Sequence, residues 1–259
     1  MSESILVGRD GDVATVTLNR PERLNALDLA AWRRIGAAVR ELAADEGLRC
    51  VVLRGAGDQA FAAGADIAEF ERERATVEQA REYGRVVEDA MTAVADCRHP
   101  TIALIRGACV GGGLTLAASC DLRICGAGSR FGVPINRLGL TMAYAELRGL
   151  VDLVGPAGAL EILLEGRIFG AEHALRLGLV NRVVADDRVE AEVEAAARRI
   201  ADGAPLVARW HKKFIRRLRD PRPPTPAELD ESFAAAGTAD YRTGVRAFLA
   251  KEKPRFEGR

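Results

Sequence analysis

The stretch Ala60-Phe61-Ala62-Ala63-Gly64-Ala65-Asp66-Ile67, echoed downstream by Gly107-Ala108-Cys109-Val110-Gly111-Gly112-Gly113-Leu114, decides how this chain is read. Both segments are built of small residues, which let backbone come close to a ligand and present an unobstructed N–H to it. The glycine triplet opens the apolar segment Leu114 to Ala118, as a helix N-terminus would. There, free N–H groups and the positive end of the dipole favour developing negative charge. The first segment reads as a buried turn, with Asp66 capping a helical Ile67 to Arg72. Either segment alone suits a tight turn or close packing. Paired, they supply the two donors of an oxyanion hole.

Working outward, Ile5 to Val7 and Val13 to Leu18 are short β-branched runs around Asp10-Gly11-Asp12, which predicts a hairpin. Leu29, Trp32, Ile35, Val39 and Leu42 recur at helical spacing. Cys50 to Arg54 reads as a buried strand, and Thr76 with Gln79 as a capping box before a helix carrying Val86, Val87, Ala90, Met91 and Val94. Thr101 to Ile105 and Leu122 to Cys125 are strands on either side of the triplet helix, and such alternation argues an α/β architecture. Beyond Gly155 the pattern becomes predominantly helical. Helices are predicted over Ala157 to Glu165, Ala171 to Leu177, Arg188 to Asp202, Pro205 to Leu218 and Thr225 to Ala236, with Pro221-Arg222-Pro223-Pro224 as a stiff connector.

Composition narrows the classes. A chain of 259 residues, 48% hydrophobic, can bury one substantial core. Thirty-seven basic residues balance 37 acidic ones, so no global field attracts nucleic acid or an anionic membrane. The locally basic Arg209 to Arg219 reads as a solvated helix face. Five cysteines without a Cys-x-x-Cys pair, and the scattered His99, His173 and His211, argue against disulfide and metal frameworks. Met1 to Asp10 lacks the basic and long apolar regions of a secretory signal, and the longest charge-free apolar run, ending at Asp121, falls short of roughly 20 spanning residues. A cytoplasmic protein with no metal is expected.

Asn19-Arg20-Pro21-Glu22-Arg23-Leu24-Asn25-Ala26-Leu27, the Ala63-Gly64-Ala65-Asp66 turn and the Gly111 triplet resemble the crotonase family, the enoyl-CoA hydratase/isomerase superfamily. The resemblance continues through Cys120 to Ile124, Phe131-Gly132-Val133-Pro134, Ala174 to Asn181 and Phe248 to Phe256, and so covers nearly the whole chain. It implies a spiral of ββα units followed by a helical, trimer-forming C-terminal region, divided as residues 1–195 and 196–259, assembled as a homotrimer or homohexamer. It also implies a coenzyme A thioester as the substrate, with no permanently bound cofactor. The oxyanion donors would be the N–H groups of Ala65 and Gly112, each typically worth roughly 3 to 4 kcal/mol of barrier. Coenzyme A would lie against Arg23, Leu24, Ala26 and Ala63, Gly64, Ala65, Asp66 and Ile67, with Phe248 and Lys251 contributing from the closing helix, in some relatives across a subunit boundary.

Hydratases of the family carry one glutamate two residues after the glycine triplet and another directly after the Phe-Gly-x-Pro proline. Thr115 and Ile135 stand there instead, and neither can serve unaided as the acid or base that positions water. The acid of the family's dienoyl isomerase and dehalogenase branches falls at Ala143. Nearby, Glu146 is the first candidate substitute and Tyr144 the second, and Thr115 is a weaker candidate, as a holder of water or a small anion. Cys109 reads as apolar filler. The expected function is an acyl-CoA-transforming enzyme that stabilises an enolate without the usual hydration pair, decarboxylase-like chemistry fitting such a site. A non-catalytic acyl-CoA-binding protein is the alternative.

Overall fold

Through the middle of the chain successive strands alternate between two sheets, and this alternation places the site. The computed structural model describes residues 3–259; Met1 and Ser2, where the first expected domain begins, lie outside the described residues. Strands β1 (Ile5–Asp10) and β2 (Val13–Leu18) form the predicted antiparallel hairpin, with β1 running to Asp10, beyond the expected end at Val7. Helix α1 (Leu29–Ala44) starts where Asp28 accepts the Ala31 N–H at 2.7 Å, and it buries Trp32, Ile35 and Val39. Strand β3 (Cys50–Gly55) leads to β4 (Ala60–Ala62), the short helix α2 (Phe70–Glu73) and α3 (Val77–Asp96). Thr76 and Gln79 close the predicted capping box at the start of α3.

The same unit recurs. Strands β5 (Thr101–Ile105) and β6 (Ala108–Val110) precede α4 (Gly112–Ala118), and β7 (Leu122–Gly126) and β8 (Arg130–Gly132) precede α5 (Tyr144–Glu165). The chain continues through β9 (Phe169–Gly170), α6 (Ala171–Arg176), β10 (Arg182–Val184), α7 (Val189–Ala201), α8 (Pro205–Arg217), α9 (Pro226–Glu231) and α10 (Ala239–Ala250). The large sheet runs β1-β2-β3-β5-β7-β10 and the small one β4-β6-β8-β9, parallel except for the β1–β2 and β8–β9 pairs. These repeated ββα units match the spiral that the resemblance implies.

Both faces of the central strands β3, β5 and β7 are buried, as is usual in parallel sheets. Val51, Leu53, Ala103 and Ile105 face the main core with Trp32 and Ile35. The alternate residues Cys50, Val52, Ile102 and Leu104 pack under Val189, Val193, Ala196 and Ala197 of α7. The division expected between residues 195 and 196 therefore falls inside a helix that covers the sheet.

Several sequence expectations are corrected. The small sheet was not foreseen, because its strands have two or three residues and no measurable period. Ala60 to Ala62, read as part of a turn, are its first strand. Tyr144 and Glu146 lie in the first turn of α5, which carries through Pro156 by a break at Gly155, whose φ is +69°. Thr225 to Ala236 is two pieces, α9 and a 3-10 turn at Ala234–Gly237.

Candidate active site

Strands β4 and β6 run parallel, pairing Ala60 with Ala108 and Ala62 with Cys109, so the turns that follow them leave from the same end of the small sheet. Gly64 (φ +106°) and Gly111 (φ +52°) supply the left-handed conformations that bend each chain. Gly113 is needed for a different reason: a Cβ there would lie 2.4 Å from the Ala62 carbonyl oxygen, so only glycine lets α4 seat on β4. A Cβ on Gly64 would stand 3.4 Å from the Gly112 nitrogen, and one on Gly112 would stand 3.5 Å from the Ala65 nitrogen. The two amides are neighbours. Among the described residues the Ala65 N–H takes no part in the hydrogen bonds of its turn, and Gly112, as the first residue of α4, has no intrahelical acceptor.

The turn is fixed from the side by the segment between β2 and α1. Ala63 donates to the Leu24 carbonyl, Leu27 to that of Gly64, and Asp66 to that of Leu27, at 2.9, 2.8 and 2.9 Å. Leu24 and Asn25 adopt positive φ (51° and 55°), and the buried Asn25 amide donates to the carbonyls of Ala56 and Ala60. Asp66 receives Arg20 at 2.9 Å and Arg23 at 3.1 Å, and its side chain caps the turn at Ala68. Burial raises the Asp66 pKa, but the Arg20 hydrogen bond, the Ala68 N–H and the two guanidinium charges outweigh it and hold the carboxyl below its ordinary value. Arg23, Leu24 and Ala26 are thus brought beside Ala63 to Ile67.

The two amides open into a cavity of about 200 Å³. Apolar walls come from Phe70, Val87, Val133, Ile135, Leu140 and Met142, and polar groups from Trp32, Tyr83, Arg74 and Glu146. Glu146 sits in the first turn of α5, its carboxylate accepting the Ala143 N–H at 3.1 Å. Ala143 has no side-chain acceptor to reciprocate, so only half of a capping box forms. Burial pushes the Glu146 pKa above the ordinary glutamate value, against the opposing pull of the Ala143 N–H and the Arg74 charge.

Other expected residues fall elsewhere. The Thr115 hydroxyl, instead of holding water in the cavity, turns back and donates to the Gly112 carbonyl at 3.0 Å. Tyr144 is 92% exposed and does not line the cavity, because it begins α5 on the side away from Glu146. Phe248 is 83% exposed on α10, Lys251 ends that helix at φ +57°, and neither lines the cavity of its own chain. Cys109 is wholly buried, which pushes its thiol well above the usual value. Among the described residues no group of three His, Cys, Asp or Glu side chains is placed to hold a metal, and no helix is long and apolar enough to cross a membrane. Arg74 was missed as a site residue and Trp32 was read only as core. Trp32 carries the same periodic signal as its packing neighbours on the amphipathic α1, and Arg74 lies in the bend after α2, where no period or motif marks it.

The pattern of the family described as enoyl-CoA hydratase/isomerase matches residues 8–259. The chain belongs to the enoyl-CoA hydratase/isomerase family. Family members similar to it include the short-chain-enoyl-CoA hydratase of Clostridium acetobutylicum, 32% identical over 96% of each chain. A probable enoyl-CoA hydratase of Rhizobium meliloti is 36% identical over 99% of each. Among solved family structures, an enoyl-CoA hydratase/carnithine racemase from Magnetospirillum magneticum is 52% identical with a TM-score of 0.98, covering 100% of this chain and 97% of that one.

Proposed function

We propose that this enoyl-CoA hydratase/isomerase family protein binds a short acyl-CoA thioester with its carbonyl oxygen on the N–H groups of Ala65 and Gly112, and stabilises the enolate that forms there. The observation that carries this reading is the adjacency of two amides at the mouth of one cavity, neither of them claimed by the turn or helix it belongs to. Charge developing on the oxygen would meet fixed donors in an apolar surrounding, where they act most strongly. The cavity is smaller than the roughly 300 to 1,000 Å³ that drug-sized ligands occupy, which favours a short acyl group. Coenzyme A would run past Arg23, Leu24, Ala26 and Ala63 to Ile67, and Phe248 and Lys251 would close over it from a neighbouring subunit of a homotrimer or homohexamer. The exposure of Phe248, Leu249 and Tyr241 on α10 supports such an assembly. We place the enzyme in the cytoplasm, with no permanently bound cofactor.

Two-carboxylate hydration is disfavoured, since Ile135 lines the cavity with methyl groups and the Thr115 hydroxyl is tied to Gly112. Decarboxylation of a malonyl-type ester fits better. The bond from the α-carbon to the carboxylate breaks, its electron pair becomes the enolate, carbon dioxide departs, and the α-carbon then takes a proton from protonated Glu146. The test is to incubate the enzyme with crotonyl-CoA and methylmalonyl-CoA. Turnover of the second with no rapid hydration of the first is expected, and rapid hydration of crotonyl-CoA would overturn the reading. Micromolar binding of acyl-CoA esters without turnover over a broad panel would instead favour the non-catalytic alternative, which the loss of both family glutamates makes reasonable.

A further inference from the structure

The cavity is lined by one cationic side chain, Arg74, and one anionic side chain, Glu146, and among the described residues neither takes part in an ion pair. The other side chains of the lining are apolar except for the Trp32 indole, the Tyr83 phenol and the Thr141 hydroxyl. A charge beside apolar walls loses solvation, and opposite charges on two sides of so small a space recover part of that loss from each other. We propose that Arg74 is a positioning residue for the proton donor Glu146, its guanidinium compensating the carboxylate that Glu146 becomes once it has protonated the enolate. The inference rests on the enolate reading above and deepens it.

Arg74 follows α2, in the bend before α3, and lies over two aromatic rings, its guanidinium carbon 4.6 Å from the Phe70 ring centroid and 5.0 Å from that of Tyr83. Rings in that position hold a cation without neutralising it. The acids of the same stretch are engaged elsewhere: Glu69 accepts the Leu29 N–H at 2.9 Å, and Glu73 pairs with Arg72 at 2.8 Å. On α5, the Ala143 N–H holds Oε2 of Glu146 at 3.1 Å and leaves Oε1 without a hydrogen bond. Arg148, on the same helix, lines a different groove with Asp152 and Arg219. Tyr83 is the remaining titratable group of the cavity lining, and it keeps its proton because burial pushes its pKa up to about 12. Arg74 is thus the one charge that opposes the effect of burial on Glu146.

Proton transfer makes use of that charge. The enolate's electron pair forms the new C–H bond at the α-carbon, the Glu146 O–H bond breaks, and negative charge passes from the thioester oxygen to the carboxylate. The Ala65 and Gly112 amides serve the charge before the transfer, and Arg74 serves it afterwards. A fixed cation on the receiving side costs no reorganisation as the charge arrives.

Carbon-13 NMR titration of the full-length protein, labelled at the glutamate carboxyl carbons, tests the proposal, with the Glu146 signal assigned by its loss in Glu146→Gln. Arg74→Met keeps a long side chain against the two rings and removes the charge. Its Glu146 midpoint is expected to rise by about one pH unit or more, since a lost cation no longer favours the carboxylate. The fall in methylmalonyl-CoA turnover with rising pH should move up with it. Arg74→Lys should restore both values, whereas a residue that served packing alone would be replaced better by Met than by Lys. Arg74→Gln, a second neutral replacement, is expected to repeat the shift should the Met variant fold poorly. A Glu146 midpoint unaltered in the neutral variants would overturn the proposal while the enolate reading stands. Undiminished turnover in Glu146→Gln would overturn the proton donor of that reading, and the proposal with it.

Discussion

Ala65 and Gly112, 47 residues apart in the chain, lie so close that a methyl group on Gly112 would stand 3.5 Å from the Ala65 nitrogen. That group would also press on Trp32 Cζ2 at 3.1 Å and occupy the space between the two donors. Gly112→Ala is therefore expected to lower kcat by about 10²- to 10³-fold, the loss typical of one oxyanion donor. Gly112 has ordinary helical backbone at the start of α4, so alanine there does not strain the helix. A Tm within a few degrees of wild type, beside the collapsed rate, separates a blocked site from a damaged fold. Ala65→Pro, which deletes the second N–H outright, should show a similar loss.

Thr115→Val removes a hydroxyl that serves the Gly112 carbonyl and not the cavity. The expected result is a stability loss of about 1 kcal/mol, the net worth of a neutral hydrogen bond, with turnover altered by no more than a few-fold. Denaturant unfolding and steady-state rates measure the two effects. A rate loss of a hundredfold would restore Thr115 to the catalytic machinery. Tyr144→Phe should change neither quantity, since the ring is solvent-exposed.

The raised Glu146 pKa gives a pH signature. A carboxylic acid that donates its proton is active below its pKa, so the rate should be full at acid pH and fall as pH climbs through a value above the ordinary 4.5. Glu146→Gln should lower kcat by about 10²-fold or more and erase that limb of the profile. A fall in rate with rising pH that survives the substitution would assign the proton to another group.

Asp66 ties the oxyanion turn to Arg20 and Arg23, and these partners depress its pKa below the ordinary 3.8. A carboxylate with a depressed folded pKa contributes stability that is present above the unfolded value and is lost as pH falls through the folded one. Asp66→Asn is thus expected to cost about 2 kcal/mol near neutral pH, the range for hydrogen bonds to a charged group. The difference from wild type should shrink below pH 4, which acid titrations of unfolding would detect. A constant difference at all pH values would mean that the charge is not what stabilises the turn.

Much of this was legible locally. Thr76 and the hairpin at Asp10-Gly11-Asp12 announce themselves because capping and turn chemistry acts over three or four residues. The buried strands Cys50–Gly55 and Thr101–Ile105 stand out as apolar runs bounded by charge and turn residues. Strands β4, β6 and β8 do not, since three residues carry no period and pair only through neighbours far along the chain. The sequence ranks Glu146 above Tyr144 for its chemistry, but it does not say which of the two, two positions apart, faces the cavity. On a helix such residues point roughly 200° from one another, so only the seating of α5 on the core could choose between them.

By itself, then, the sequence determined the kind of backbone at Gly64, Ala65 and Gly112, and the absence of acids at Thr115 and Ile135, because these follow from what each side chain lacks. Tertiary structure alone decided that β4 and β6 pair in parallel and bring the two amides together, that the Thr115 hydroxyl turns away, and that Trp32, Tyr83 and Arg74 meet on one wall. Those are relations between residues separated by tens of positions, fixed when burial of the large sheet's two faces sets every helix in place.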